Sequence, residues 1–122
     1  MSPKRPVVLI VEDEVLIRMA ALDIVRSAGF EPIEAANADQ AIAILEARND
    51  IRIVFTDINM PGSMDGLKLA AAVRGRWPPI DFIVTSGHHA PTADDLPERG
   101  LFIRKPYSNF QVARALAELT TS

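Results

Sequence analysis

The residues of this chain best suited to chemistry are three acids and a lysine, each placed just after a short apolar run. Glu12 and Asp13 follow residues 7–11, Asp57 follows residues 51–56, and Lys105 lies just beyond residues 101–103. Any one of these acids alone reads as a solvated loop residue, or as a charge favoured by the dipole at a helix start. Three carboxylates brought to one place repel one another and need a counter-charge. Two are on offer. One is a bound hard cation, for which carboxylate and carbonyl oxygens are suitable ligands. The other is the Lys105 ammonium. A dinucleotide or flavin site would instead place glycines or hydroxyls after the first strand, where free amides accept phosphate.

The elements that must position these residues can be read along the chain. Residues 7–11, VVLIV, form an unbroken β-rich apolar run, the pattern of a central strand buried on both faces. Leu16, Ile17, Ala20, Ala21, Ile24, Val25 and Ala28 then recur at helical spacing, and Gly29 stops the helix. Residues 31–36 form a second strand, which Pro32 assigns to a sheet edge because proline cannot donate to a ladder. Asn37 and Gln40 have capping-box spacing for a helix running to about Arg48. A third strand over residues 51–56 ends at Asp57. A loop with Pro61, Gly62 and Gly66 leads to a helix through Leu67, Leu69, Ala70 and Val73, ended by Pro78 and Pro79. Residues 82–85 and 101–103 read as the fourth and fifth strands. Ser108 and Gln111 cap a last helix, with Phe110, Val112, Ala115, Leu116 and Leu119 expected on its buried side. Pro91 and Pro97 leave little room between Gly87 and Gly100, so the fourth helix is expected to be short or irregular.

This alternation predicts an α/β fold, a doubly wound five-stranded parallel sheet with helices on both faces. Right-handed crossovers and an edge position for the second strand select the order 2-1-3-4-5. The first and third strands are then neighbours, and Glu12, Asp13 and Asp57 converge in the crevice beyond their carboxyl ends. The whole chain, residues 1–122, is read as one domain with its core over about 7–119.

Composition narrows the classes. With 48% hydrophobic and 24% charged residues the chain has the profile of a globular protein. No apolar run approaches the roughly 20 residues needed to span a bilayer, so no membrane role is expected. The absence of cysteine excludes disulfide and thiolate-metal frameworks, and the expected location is cytoplasmic. A net charge of −3 argues against non-specific nucleic-acid binding, and the basic pairs Lys4–Arg5 and Arg74 with Arg76 read as solvated surface. His88 and His89 lack a second set of metal ligands and read as loop residues.

The motifs in order are Val11-Glu12-Asp13-Glu14, Thr56-Asp57-Ile58-Asn59-Met60-Pro61, Asp65-Gly66, Thr85-Ser86-Gly87 and Lys105-Pro106-Tyr107. With them the chain resembles the receiver domain of two-component response regulators, over nearly its whole length. The resemblance implies a flavodoxin-like fold and the function of a phosphoacceptor switch in a phosphorelay. Asp57 would accept a phosphoryl group from the phosphohistidine of a sensor histidine kinase or phosphotransfer protein. Mg²⁺ would be held by Asp13 directly, by Glu12 at greater distance, by Asp57, and by the backbone carbonyl of Asn59. Ser86 would swing in to hydrogen-bond the phosphoryl group, Lys105 would pair with another of its oxygens, and Phe102 would follow as the switch aromatic. The Lys105-Pro106 bond is expected to be cis. The loop with Gly62-Ser63-Met64 reads one residue longer than the family's common form. That loop and the compressed segment after Ser86 resemble stand-alone receivers and those of hybrid kinases.

Such a domain is not an enzyme in the ordinary sense. It catalyses only its own phosphorylation and dephosphorylation, and it is expected to signal through a protein partner without direct DNA contact. The competing reading is a metal-dependent phosphatase or phosphotransferase acting on a small substrate with the same acids and lysine. Against it stand the lack of a cap domain and of a spare general acid/base.

Overall fold

The computed structural model describes residues 5–59, 65–87 and 100–121. Along the chain run β1 (Val7–Val11), α1 (Val15–Ser27), β2 (Glu31–Ala35), α2 (Ala38–Ala47), β3 (Ile51–Asp57), α3 (Gly66–Arg76), β4 (Asp81–Ser86), β5 (Gly100–Arg104) and α4 (Asn109–Thr120). The five strands form one parallel sheet in the order β2-β1-β3-β4-β5. This is the flavodoxin-like arrangement expected above. The expected fourth helix falls outside the described residues, as do His88, His89, Met60, Pro61 and the Gly62-Ser63-Met64 stretch.

The sheet is sandwiched because its central strands are apolar on both faces. All five β1 side chains are buried, and each contributes about 1.5–3 kcal/mol of hydrophobic stabilisation. Leu9 and Val11 join one core cluster with Ala41 and Leu45 of α2 and Leu69, Ala70 and Val73 of α3. Val8 and Ile10 join the other, with Ala21, Ile24 and Val25 of α1 and Val112, Ala115 and Leu116 of α4. Pro32 sits on β2 at the edge, facing Val8 of β1. In the β1–β3 ladder Val7 faces Ile51 and Val8 faces Ile53, so Arg52 is an extra residue and the only exposed one of β3.

Local signals decide where elements stop. Gly29 takes φ +95° just past α1, a conformation glycine adopts without strain. Ser108 and Gln111 form the full reciprocal capping box of α4. At α2 only half of the box forms. Asn37 accepts the Gln40 N–H at 2.9 Å, while the Gln40 side chain accepts from Ala36 N instead of Asn37 N. Residues of the apolar pattern at Leu16, Ala20 and Phe110 stay exposed. Leu16 is 81% exposed and Phe110 71% exposed, since each lies in the first turn of its helix, beyond the reach of the sheet. Among the described residues no helix is long and apolar enough to cross a membrane.

Candidate functional site

The carboxyl ends of β1, β3 and β5 deliver the site. Glu12 continues the ladder, its N–H donating to Ala35 O at 3.1 Å. Asp57 is the last residue of β3, and Lys105 follows β5 with its N–H on Ser86 O at 3.0 Å. The parallel sheet therefore brings together the acids predicted from sequence. Oxygens of Glu12, Asp13 and Asp57 lie within 4.8 Å of one another. Asp13 is the most open of the three, whereas Glu12 and Asp57 are buried.

The Lys105 ammonium reaches into this cluster and donates to Glu12 Oε1 and Asp57 Oδ2, both at 2.8 Å. The three side chains are 18%, 6% and 8% exposed, so these contacts are scarcely screened by water. Burial pushes the Glu12 carboxyl above its ordinary 4.5, and the hydrogen bonds from Lys105 and Glu14 N only partly offset that. For Lys105 burial works against the charged form, but hydrogen bonds to Asp57 and Glu12 outweigh it and raise the pKa above 10.5. The ammonium is thus held firmly protonated in the position of a counter-cation.

The remaining groups surround Asp57. Asn59 N donates to Asp57 Oδ1 at 3.1 Å, so among the described residues each carboxylate oxygen has a donor. The Asn59 side-chain amide donates to Ser86 Oγ at 3.1 Å, which ties the end of β4 to the loop after β3. Phe102 faces Val84 in the β4–β5 register and packs half-buried against the core. It lies in β5, the strand that leads to Lys105. The Lys105–Pro106 bond is cis, as expected. Tyr107 turns back over Phe55, ring centroids 5.6 Å apart, and burial raises its phenol above 10.0.

Three residues support the site through contacts that local sequence does not reveal. Gly66 opens α3 hard against the backbone of Asp57. A Cβ there would strike the Asp57 carbonyl oxygen and lie 2.8 Å from its carbonyl carbon and 2.9 Å from Ile58 Cα. Its N–H bonds Ile58 O at 2.9 Å, so loop and helix start are joined. Arg18 of α1 and Glu34 of β2 form an ion pair at 3.0 Å beside Glu12. Their partnership spans two elements and leaves no mark in local spacing.

The donor set suits a small hard cation. It is all carboxylate oxygen, without nitrogen or sulfur, and an ammonium already serves as a cationic stand-in within it.

Comparison with known proteins agrees with the geometry. The family model for the response regulator receiver domain matches residues 8–117. The chain is 40% identical over 106 residues to an NtrX-like response regulator of Rickettsia bellii, covering 84% of this chain and 22% of that protein. It is 36% identical over 120 residues to the sensor kinase CckA of Brucella abortus, covering 92% of this chain and 12% of that protein. The chain therefore spans about a fifth or less of the length of these relatives. Among solved structures, a response regulator receiver protein from Sinorhizobium medicae superposes with a TM-score of 0.88 at 25% identity, covering 97% of this chain and 96% of that one. The receiver domain of the hybrid histidine kinase CckA gives 0.80 at 28% identity, covering 94% and 99%. These comparisons give no support to a small-substrate phosphatase. With its five-stranded sheet, its acid cluster and a family match over most of its length, this chain belongs to the response regulator receiver domains, the signalling modules of two-component systems.

Proposed function

We propose that Asp57 is the phosphoacceptor of this receiver, that Glu12, Asp13, Asp57 and the Asn59 carbonyl hold Mg²⁺, and that residues 1–122 act as one cytoplasmic signalling domain. The observation that carries this reading is the Lys105 ammonium, 2.8 Å from both Glu12 and Asp57 within a cluster of three acids.

Phosphoryl transfer needs positioning and charge neutralisation more than covalent help. An Asp57 oxygen attacks phosphorus, the O–P bond forms as the donor's P–N bond breaks, and the imidazole nitrogen keeps the electron pair and takes up a proton. Mg²⁺, when bound, neutralises charge on the transferring group. Lys105 gives up its contact with Asp57 Oδ2 and follows the negative charge onto a phosphoryl oxygen. Asn59 N keeps its hold on Oδ1, which fixes the carboxylate plane. Ser86 exchanges its bond with the Asn59 amide for one to the phosphoryl group, and Phe102 turns inward as the hydroxyl leaves. The resulting shift between two packings remodels the surface around β5 for a protein partner.

A protein donor, a sensor histidine kinase or phosphotransfer protein, is supported by the rim of the crevice. Val15, Leu16 and Met19 of α1 are 56%, 81% and 55% exposed. Leu16 lines a groove of about 660 Å³ together with Ile17, Ala20, Lys105, Pro106 and Tyr107, among others. Such an apolar rim suits docking better than a free small molecule.

Incubation with Mg²⁺ and acetyl phosphate, followed by intact-mass measurement, tests the proposal. One Mg²⁺-dependent phosphoryl addition that vanishes in Asp57→Ala is expected. A full addition in that variant would refute the assignment.

A further inference from the structure

Arg18 projects from the second turn of α1 and is 15% exposed, unusual burial for an arginine in a helix with a solvent face. Its Nη1 donates to the Glu12 carbonyl oxygen at 2.8 Å, and its Nε donates to Glu34 Oε1 at 3.0 Å. The Glu12 carbonyl belongs to the peptide unit that leads into Asp13. That unit lies just beyond the last rung of the β1–β2 ladder, Glu12 N to Ala35 O, so no strand holds it. The remaining ties of the loop are side-chain bonds of Glu12 itself, one from Glu14 N at 3.1 Å and one from Lys105 at 2.8 Å. Only Arg18, among the described residues, grips the backbone between the two acids.

From this geometry we infer that Arg18 is a positioning residue for the Glu12–Asp13 pair, and that Glu34 on the edge strand holds Arg18 in place. The inference rests on the proposed cation site. A guanidinium is suited to the task because its donors are fixed in one plane. With Nε held by a carboxylate, Nη1 has one direction left. Partners that orient metal ligands are typically worth ten- to a hundred-fold in affinity.

Charge and position predict opposite signs, which makes the inference testable. As a positive charge near a cation site, Arg18 opposes Mg²⁺, so its removal on electrostatic grounds alone would tighten binding. As a positioning residue, its removal loosens the Asp13 backbone and weakens binding. The experiment is calorimetric titration of Mg²⁺ into the wild type, Arg18→Met, Arg18→Lys and Glu34→Ala. Amide hydrogen exchange of the metal-free proteins is measured alongside.

In Arg18→Met the Mg²⁺ Kd is expected to rise about ten-fold. Exchange at Asp13 and Glu14 should quicken while Ile24 and Val25 stay protected. Arg18→Lys keeps the charge and one donor and should recover part of the affinity. Glu34→Ala, a change at a half-exposed residue, should weaken Mg²⁺ in the same direction by less. An unchanged or tighter Kd in a folded Arg18→Met overturns the inference. If that variant does not fold, wild-type affinity in both Arg18→Lys and Glu34→Ala overturns it. Wild-type protein whose Mg²⁺ binding is absent, or unaffected by Asp13→Asn, would instead show that the cation site itself is wrong, and the inference would fall with it.

Discussion

Replacing Lys105 by methionine keeps the length of the side chain and removes its charge. In the metal-free protein Glu12, Asp13 and Asp57 would then stand unneutralised, with oxygens within 4.8 Å of one another. At an effective dielectric of about 20, two unit charges at that separation repel by about 3.5 kcal/mol. Protonation caps the penalty, because burial already makes Glu12 hold its proton more tightly than a free glutamate. A net loss of about 2–3 kcal/mol is therefore expected. For a domain of this size that corresponds to a fall of about 10 °C in Tm. Mg²⁺ reverses the order of the two proteins' responses. In the wild type the cation must compete with the ammonium, and in Lys105→Met it meets three free carboxylates. Thermal unfolding followed by circular dichroism, in chelator and in saturating Mg²⁺, should give the larger metal-induced stabilisation in the variant. Acetyl phosphate labelling should nonetheless slow, since no ammonium follows the charge onto the phosphoryl group. Equal Tm values in chelator, with equal Mg²⁺ increments, would refute the reasoning.

Two further outcomes are expected. Gly66→Ala places a methyl group against the backbone of Asp57 and Ile58, with no flexible side chain to yield. It should destabilise by about 3 kcal/mol in chemical denaturation and slow labelling by acetyl phosphate, and a variant matching wild type in both would contradict the geometry. Tyr107 is the protein's single tyrosine, so tyrosinate absorbance reports it alone. Its midpoint should lie above 10.0 in the folded protein and fall to the ordinary value in denaturant, because burial favours the neutral phenol. The neutral form is the one the fold prefers, so this contribution to stability is complete below pH 10.0 and is lost as pH rises through the folded pKa. A native midpoint at the denatured value would remove the basis for both statements.

Much of this was legible in the sequence because it depends on local pattern. The unbroken VVLIV of β1 announced a strand covered on both faces, and Pro32 announced an edge. Together they settled the strand order, and the order placed three acids at one end. The capping box at Ser108 was legible for the same reason, since both partners lie within one turn. What escaped was set by packing between elements. Leu16 and Phe110 fit the helical period of the buried stripe, but each stands in the first turn of its helix and stays exposed. The half-formed box at Asn37 turned on whether the Gln40 amide met Ala36 or Asn37, a difference of one peptide unit. Arg18 and Glu34 are sixteen residues apart and meet only because α1 packs beside β2. Gly66 was visible as a motif glycine, but its steric necessity depends on the Asp57 backbone lying hard against it.

The bonds of Lys105 span 93 residues to Glu12 and 48 to Asp57, and this has a consequence for how the domain matures. Contacts so distant in sequence must have their loops closed before they repay that entropy, so they are expected to follow the local pairings. A chain that has paired β1, β2 and β3 already gathers the acids but still lacks the ammonium, which arrives only when β5 joins the sheet. If Lys105 acts as proposed, competence to accept a phosphoryl group would coincide with completion of the fold. On that reading a nascent or partly opened chain would carry the acids as a silent precursor, and loss of the β5 edge would quench phosphoryl acceptance before the rest of the sheet came apart.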